Sequence, residues 1–190
     1  MTMDPTFRAP VSTSTERVLI RSWMPGEGRK LSEALAGSYA HLSPWMPWAS
    51  EQAESAEVME LRVRGFRARY LLGENFILPI LSADGARCLG GTGFHLRHGA
   101  ISSGVAEIGM WVRADESGKG LGKHVLAAMV EWAWTEWPWR RLVWRCSPEN
   151  TASRRTAESA GFVLEGISRE DAFSPQGELR STCVYALLKG

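Results

Sequence analysis

A run of glycines and lysines near the middle of the chain has the pattern of a phosphate-binding turn. The segment from Glu107 to Lys123 reads EIGMWVRADESGKGLGK, in which an apolar strand passes through a polar turn into a helix. Alternating glycines let the backbone curl tightly and point several N–H groups at one anion beside the helix N-terminus. The spacing fits neither the Walker pattern nor the dinucleotide-binding fingerprint, so it predicts another phosphate ligand. The loop residues are Ser117, Gly118, Lys119, Gly120, Leu121, Gly122 and Lys123.

A second informative stretch runs from Asn150 to Gly166. Together with the glycine loop it resembles the GNAT superfamily of N-acetyltransferases. In that family a Gln/Arg-x-x-Gly-x-Gly/Ala loop holds the pyrophosphate of acetyl-CoA, so the resemblance assigns acetyl-CoA binding to residues 117–123. Ser117 stands where the family has Gln or Arg. Because such anions are bound mainly by main-chain N–H groups, the serine should weaken one accessory contact and leave the binding loop intact.

Several motifs resemble one branch of the superfamily, the N-terminal acetyltransferases of ribosomal proteins. The likeness implies direct transfer of acetyl from acetyl-CoA, in a ternary complex, to a primary amine. The preferred acceptor is the N-terminal α-amine of a ribosomal protein or peptide. The alternatives are a small-molecule amine, such as an amino acid, a polyamine or an antibiotic, and a non-catalytic acetyl-CoA-binding module. The motifs, spread between Thr15 and Leu188, are AEIGMWV, Asn150-x-x-Ser153, Ala160-Gly161-Phe162, Val184-Tyr185-Ala186-Leu187 and the segment from His41 to Trp48.

Hydrophobic periodicity predicts the α/β elements that must position these residues. The resemblance implies a single-domain GNAT-like fold, with a mixed, mostly antiparallel sheet of about six to seven strands flanked by about four helices. It also implies that strands 105–113 and 141–146 splay into a central cleft. There, main-chain groups near Trp111 and Val112 would bind the pantetheine amides. The predicted strands are 17–23, 75–82, 87–96, 105–113, 141–146, 162–168 and 180–188, and the predicted helices are 29–41, 53–72, one that follows the glycine loop and ends before Pro138, and one that Asn150 caps and Gly161 ends.

Glu107 is the candidate base for amine acetylation, which needs a group that accepts the amine proton. Strand alternation turns Glu107 away from Ile108 and Met110, so its carboxylate can face a cleft instead of the core. It would then bind the acceptor amine as well. The alternative is a structural glutamate that is hydrogen-bonded across the sheet, or one that only orients the amine.

The acid that protonates the departing thiolate is assigned through the resemblance. Family members place a serine near the cofactor sulfur, and Ser153 has that position, one turn into the helix that Asn150 starts. The local alternative is that Ser153 only bonds backbone N–H groups at the helix start. Asn150 is an N-cap in either case, and its side chain is also a candidate to hold the cofactor arm. Tyr185 is the alternative acid, because other branches use a tyrosine, although a tyrosine in such a strand is more typical of the core.

Trp45 and Trp48 lie in a proline-broken loop between the first two predicted helices. The resemblance places this loop over the acceptor side, where aromatic walls would exclude water and bind an apolar or peptide substrate. The alternative is an ordinary loop that its tryptophans anchor to the domain.

Composition limits the other functions that the chain can have. Its 190 residues fit one domain. With a net charge of +1, no strongly basic face indicates nucleic acid and no lysine cluster indicates a membrane, while local basic patches stay open. Residues 1–14, rich in Pro, Ser and Thr, are expected to form a flexible tail before an acetyltransferase domain at 15–190. No signal peptide or membrane span is recognisable, which predicts a cytoplasmic protein.

The cysteines and tryptophans add two expectations. Cys88, Cys146 and Cys183 form no C-x-x-C pair, so neither a disulfide framework nor a metal site is predicted. No cysteine lies in a nucleophilic constellation, which favours direct transfer without an acyl-enzyme. The tryptophans between residues 132 and 144 fit a core or an oligomer surface, so a homodimer stays open.

Overall fold

Apolar runs form the strands of one mixed sheet, and helices with an apolar face cover it. The computed structural model describes residues 7–49 and 54–190. Over these residues the chain forms eight strands and five α-helices, so the predicted α/β class is confirmed with slightly more elements than expected. The strands are β1 (Ser12–Ser14), β2 (Val18–Arg21), β3 (Phe76–Ser82), β4 (Cys88–His95), β5 (Val105–Val112), β6 (Arg141–Cys146), β7 (Val163–Phe173) and β8 (Leu179–Leu188), and the helices are α1 (Gly28–Ala36), α2 (Tyr39–Leu42), α3 (Ala56–Leu71), α4 (Leu121–Thr135) and α5 (Thr151–Ser159).

The strands lie in the order β1-β2-β3-β4-β5-β6-β8-β7. Neighbouring strands are antiparallel, except that β5 and β6 are parallel. Parallel neighbours need a long crossover connection, which α4 supplies here. The expectation of a mixed, mostly antiparallel sheet is therefore confirmed.

Two hydrophobic clusters identify the helices that cover each face of the sheet. The larger cluster packs α4 and α5 against the face that carries Phe94 and Ile108. The smaller cluster packs α1 and α3 against the opposite face, with Trp111 at its edge. The apolar stripe of α4 is buried in the larger cluster, and its residues are Leu121, Val125, Met129 and Trp132.

The single helix predicted from Arg29 to His41 is wrong, because the structure has two helices there. The break falls at Gly37 and Ser38. Glycine favours helix termini over helix interiors. The Ser38 hydroxyl also donates to the carbonyl oxygen of Ala34 at 2.8 Å, in competition with a continued backbone ladder.

The next helix begins at Ala56, where Ser55 is the N-cap and its hydroxyl accepts a hydrogen bond from the Val58 N–H at 3.3 Å. Ala53, where we expected this helix to start, lies outside the described residues. Within residues 7–49 and 54–190, no helix is long and apolar enough to cross a membrane.

The last two strands are longer than predicted. The alternation of apolar and polar residues is lost where the pairing of β7 with β8 becomes irregular, so the sequence did not show the full length of β7. β7 continues to Phe173, and its pairing with β8 is irregular between Ser168 and Ala172. Glu170 lies in this irregular stretch with a φ of 51°. Since β7 is an edge strand and mostly exposed, its polar residues do not follow the alternation of a half-buried strand.

The described part of the expected tail packs against the domain. Ser12–Ser14 pair with β2 as the edge strand β1. Phe7 packs edge-on against Phe76 with ring centroids 6.1 Å apart, and the Tyr70 hydroxyl donates to the carbonyl oxygen of Pro10. The folded part of the chain thus begins before residue 15, contrary to the expectation for residues 7–14, while residues 1–6 lie outside the described part.

Candidate active site

The centre of the site is the place where β5 and β6 separate. Only three residue pairs join these strands, from Val105 with Arg141 to Glu107 with Val143. Beyond Glu107, β5 continues to Val112 and pairs with β4 alone. The cleft expected between strands 105–113 and 141–146 is therefore present.

Hydrogen-bond alternation along β5 indicates which backbone groups face the cleft. The Arg113 N–H donates to the Leu89 carbonyl oxygen at 2.9 Å, on the β4 side. Because antiparallel neighbours bond at every second residue, Trp111 also directs its N–H and C=O to β4. Met110 and Val112 direct theirs to the side from which β6 has diverged. Of the two residues expected to bind pantetheine through the main chain, Val112 has its groups in the cleft and Trp111 contributes its side chain instead.

The glycine loop lies at the far end of the same cleft and enters α4. Gly118 and Gly120 both have a φ of 75°, which residues with a side chain rarely adopt. A Cβ at either position would meet no atom within 4 Å, so the space beside them is open. The first intrahelical bond is from the His124 N–H to the Gly120 carbonyl oxygen, so the preceding N–H groups are free to bind an anion. This arrangement fits a pyrophosphate held by main-chain donors.

Charged side chains beside the loop are largely paired. Arg87 contacts both Asp115 and Glu116, the second at 2.7 Å, and Arg113 contacts Asp115 at 3.0 Å. These ion pairs offset the two carboxylates that precede the loop. Lys119 also lies 3.5 Å from Glu116, so the predicted loop lysine shares this carboxylate with Arg87.

Glu107 is the last residue of β5 that pairs with β6, and its side chain is only 10% exposed. Its Oε1 forms an ion pair with the Arg97 Nε at 3.0 Å, whereas its Oε2 is buried and has no hydrogen-bond partner among the described residues. Burial raises the pKa of Glu107 above its ordinary value, although the positive charges of Arg97 and Arg145 oppose the shift. A buried carboxylate with a raised pKa and one oxygen without a partner is suited to accept a proton.

His95 is a residue of this face that the sequence interpretation missed. It lies directly opposite Glu107 on β4, on the same face of the sheet. Its Nδ1 is 3.0 Å from the Oδ1 of Asn75. Burial, with a smaller contribution from the charge of Arg97, lowers the pKa of His95 to about 4. The only sequence feature that could have indicated His95 is that it shares one face of its strand with two glycines, Gly91 and Gly93.

Ser153 is held from two sides at the start of α5. Its N–H donates to the Oδ1 of Asn150 at 3.0 Å, so Asn150 is the N-cap that we predicted. Its hydroxyl oxygen accepts from the Trp144 Nε1 at 2.9 Å. The hydroxyl thus bonds an indole from β6 and not the helix backbone, contrary to the local alternative. Burial raises the pKa of Cys146 at the end of β6, and a hydrogen bond with the Ser153 hydroxyl opposes that shift.

Tyr185 lies opposite Trp144 on β8 and is almost completely buried. Its hydroxyl donates to the Oε1 of Glu158 at 2.9 Å and accepts from the Arg154 Nε at 3.1 Å. Burial raises its pKa above the ordinary value for tyrosine. The hydroxyl proton is therefore engaged by a carboxylate of α5, which favours Ser153 over Tyr185 as the acid.

The predicted aromatic wall has one clear contact with the cleft. The ring of Trp48 packs edge-on against Trp111, with centroids 5.9 Å apart, and Trp48 is 47% exposed. Trp111 lies over Gly91, where a Cβ would approach its indole nitrogen to 2.3 Å. Trp45 is half-buried in the same loop, and within residues 7–49 and 54–190 the only ring contact of the loop with the site is that of Trp48. Trp48 and Trp111 thus extend the face that carries Glu107.

Known proteins share this fold. The family model described as the acetyltransferase (GNAT) domain matches residues 17–163. The chain belongs to that family. As a GNAT acetyltransferase, the protein is an enzyme that uses acetyl-CoA, and its glycine loop and cleft fit that substrate.

Individual relatives differ in what their names describe. YdaF of Bacillus subtilis (strain 168), named provisionally as a ribosomal N-acetyltransferase, is 26% identical over 92% of both chains. The ribosomal-protein-S5-alanine acetyltransferase of Vibrio fischeri has a TM-score of 0.83 at 16% identity, covering 94% of this chain and 97% of that one. The Microcin C7 self-immunity acetyltransferase MccE, solved with acetyl-CoA and AMP, has a TM-score of 0.81 at 18% identity, covering 92% and 94%. At these identities the two structural likenesses establish the fold.

Proposed function

We propose that this GNAT enzyme transfers acetyl from acetyl-CoA directly to the N-terminal α-amine of a protein or peptide, with a ribosomal protein as the preferred acceptor. The names of YdaF and of the Vibrio fischeri enzyme support this acceptor class. The half-exposed tryptophans Trp48 and Trp111 lie along the same face of β5 as Glu107 and also suit an extended peptide end, because aromatic side chains bind apolar and peptide groups.

The observation that carries the proposal is the placement of Glu107. Its partnerless Oε2 is buried at the last residue pair before β5 and β6 separate. In the proposed mechanism the acceptor ammonium gives a proton to Glu107, and the neutral amine attacks the thioester carbonyl. Ser153 then donates its hydroxyl proton to the departing thiolate, and the second proton that the acetylated nitrogen loses restores the Ser153 hydroxyl. Trp144 donates to the Ser153 oxygen at 2.9 Å and so does not use the hydroxyl hydrogen, for which Cys146 is the neighbouring partner until the thiolate forms.

Residues of the loop and cleft would hold the donor. The N–H groups at the start of α4 would bind the pyrophosphate, and the free backbone groups of Met110 and Val112 would bind the pantetheine amides. Asn150 keeps its Nδ2 for the cofactor arm, because only its Oδ1 is used by the helix cap.

Two other functions are kept as alternatives to protein N-terminal acetylation. MccE was solved with AMP beside acetyl-CoA, which favours a small-molecule amine as the second candidate acceptor. A non-catalytic acetyl-CoA-binding module is the third candidate, for which Ser117 in the usual Gln or Arg position is the supporting feature.

A homodimer and a cytoplasmic location complete the proposal. Apolar side chains of the last hairpin are exposed, which supports an oligomer surface, and they include Val163, Ile167, Phe173 and Leu179. Light scattering at several protein concentrations would test the dimer. A ribosomal acceptor would place the reaction in the cytoplasm.

The test is an acetyl-transfer screen that measures release of the CoA thiol. Peptides beginning with alanine or serine should be acetylated at the α-amine, and the same peptides with a blocked N-terminus should not react. Turnover with spermidine, amino acids or aminoacyl nucleotides but with no peptide would favour the small-molecule reading. Binding of acetyl-CoA without any turnover would favour the non-catalytic module.

Glu107→Gln provides the test of the proton acceptor within the same screen. The rate should fall about a hundredfold or more, the scale of general base catalysis, while acetyl-CoA binding persists. Glu131→Gln on the exposed side of α4 is the matched control and should retain wild-type turnover. A Glu107→Gln protein that loses only a few-fold at every pH would assign Glu107 a structural role.

A further inference from the structure

Three polar side chains form a row across neighbouring strands beside the cleft. Asn75 immediately precedes β3, His95 ends β4, and Glu107 lies opposite His95 on β5. The row ends at Glu107, where β5 and β6 separate. It therefore leads from the sheet into the part of the cleft where the acceptor amine must arrive.

We propose that His95 is an acceptor-binding residue whose Nε2 takes a hydrogen bond from the substrate amine and orients it beside Glu107. The inference rests on the proposed amine acetylation and adds a residue that contacts the acceptor. Three observations carry it: the hydrogen bond with Asn75, the position of the ring over Gly109, and the pairing with Glu107.

The hydrogen bond with Asn75 fixes which ring nitrogen carries the hydrogen. The Oδ1 of Asn75 lies 3.0 Å from the Nδ1 of His95. In this orientation of the Asn75 carboxamide its oxygen faces Nδ1, and because a carboxamide oxygen only accepts hydrogen bonds, Nδ1 is assigned as the donor. In a neutral ring the lone pair is then on Nε2, which has no hydrogen-bond partner among residues 7–49 and 54–190. Asn75 thus holds His95 in the tautomer that presents an acceptor.

Gly109 makes room for that acceptor at the beginning of the cleft. A Cβ on Gly109 would come within 2.6 Å of the Nε2 of His95. Gly109 is on the same face of β5 as Glu107 and lies past the last pair that β5 makes with β6. The ring therefore extends over β5 where the strand leaves its neighbour, and the missing side chain of Gly109 is what permits this position.

The surroundings keep the ring neutral under physiological conditions. Burial lowers the pKa of His95 to about 4, and the nearby charge of Arg97 acts in the same direction. Glu107 faces the ring from β5, and Asn75 faces it from the start of β3. Because the pKa lies well below neutrality, protonation would remove the Nε2 acceptor only in acid.

Glu107 and His95 have different roles when the acceptor amine loses its proton. One N–H proton of the acceptor ammonium moves to Oε2 of Glu107, which becomes a carboxylic acid. The resulting neutral amine keeps two hydrogens, and one of them donates to Nε2 of His95. With one hydrogen held in this way, the nitrogen lone pair is free to face the thioester carbonyl.

The first test compares variants of His95 on a peptide that wild type acetylates. His95→Phe keeps a ring of similar size but removes the acceptor, so kcat/KM for the peptide should fall about tenfold or more. The dissociation constant of acetyl-CoA should not change in calorimetry. His95→Gln, whose side-chain oxygen can accept, should retain more activity than His95→Phe. The control His41→Gln changes an exposed histidine of α2 and should behave as wild type.

The second test does not depend on the folding of any inactive variant. In wild-type protein labelled with ¹⁵N-histidine, the ring signals of His95 at neutral pH should show hydrogen on Nδ1 and a bare Nε2. Asn75→Leu removes the carboxamide and should shift the tautomer population with a smaller loss of kcat/KM. Hydrogen on Nε2 in the wild type, or equal kcat/KM in His95→Phe and wild type, would overturn the inference. Failure of wild type to acetylate any amine would instead refute the proposed function, while the tautomer measurement would still stand.

Discussion

Addition of one methyl group at Gly109 should disturb the acceptor face while leaving the donor site intact. Gly109→Ala would place a Cβ 2.6 Å from the Nε2 and 3.0 Å from the Cδ2 of His95. The first separation is shorter than real Cβ contacts allow, and the second is tighter than most of them. Neighbouring backbone is not the obstacle, so we expect the histidine ring to move.

The size of the movement follows from the distances. Reaching ordinary contact at 3.4 Å from 2.6 Å requires a displacement of about 0.8 Å, since 3.4 − 2.6 = 0.8. The Nδ1 bond to Asn75, 3.0 Å long, cannot follow such a shift and should be weakened or lost. Loss of that bond should lower the free energy of unfolding by about 0.5–1.5 kcal/mol. A displacement near 1 Å in a residue that contacts substrate should lower kcat/KM for the amine by about tenfold to a hundredfold.

The assay combines peptide acetylation, calorimetry with acetyl-CoA and thermal unfolding. Gly166→Ala is the matched control, because a Cβ on Gly166 in β7 would meet no atom within 4 Å. The control should keep wild-type kcat/KM, and both variants should bind acetyl-CoA normally. The reasoning fails if Gly109→Ala has wild-type kcat/KM with an unchanged His95 tautomer.

Three further predictions concern other parts of the molecule. Gly120→Asp should abolish acetyl-CoA binding in calorimetry, whereas Gly120→Asn, with the same backbone strain and no charge, should bind more tightly than Gly120→Asp. Ser153→Ala should lower kcat with little change in acetyl-CoA affinity, and Trp144→Phe should cause part of the same fall in a non-additive double-mutant cycle. Burial raises the pKa of Glu27, but hydrogen bonds from Arg21, Lys30 and a backbone N–H outweigh it and lower the pKa from 4.5 to about 2. Ionised Glu27 should therefore add up to about 3 kcal/mol to the free energy of unfolding above pH 4.5, and this contribution should disappear as the pH falls towards 2. Denaturant titration should show a smaller pH dependence of the free energy of unfolding in Glu27→Gln.

Local patterns were sufficient to predict the features that depend on neighbouring residues. Strand alternation correctly separated Glu107 from Ile108, which packs in the larger core cluster. Glycine spacing and the family resemblance located the loop, since positive φ angles at Gly118 and Gly120 are a local backbone requirement. Asn150 was recognisable as an N-cap because the cap and its N–H partner are three residues apart.

Contacts between distant segments could not be predicted in this way. The role of His95 depends on the register that pairs it with Glu107, and one sequence does not specify that register. Trp144 and Ser153 contact each other because β6 ends beside the start of α5, a tertiary relationship. The Tyr185 hydroxyl likewise depends on Glu158 from another element. The polar composition of residues 7–14 concealed an edge strand, since edge strands need little burial.

The pairing between β5 and β6 is short, so the sheet is only partly hydrogen-bonded between these two strands. Three residue pairs join a half-sheet of β1 to β5 to a half-sheet of β6 to β8, and the backbone groups of Met110 and Val112 open onto the gap. Acetyl-CoA that forms hydrogen bonds with those backbone groups would take the place of a strand between β5 and β6 and would connect the two half-sheets. Amide hydrogen exchange at the end of β5 should consequently slow when acetyl-CoA binds. Glu107 belongs to the last residue pair that joins β5 and β6, so bound acetyl-CoA should also make the acceptor face more rigid. We therefore expect ordered kinetics, in which acetyl-CoA binds first and the amine second.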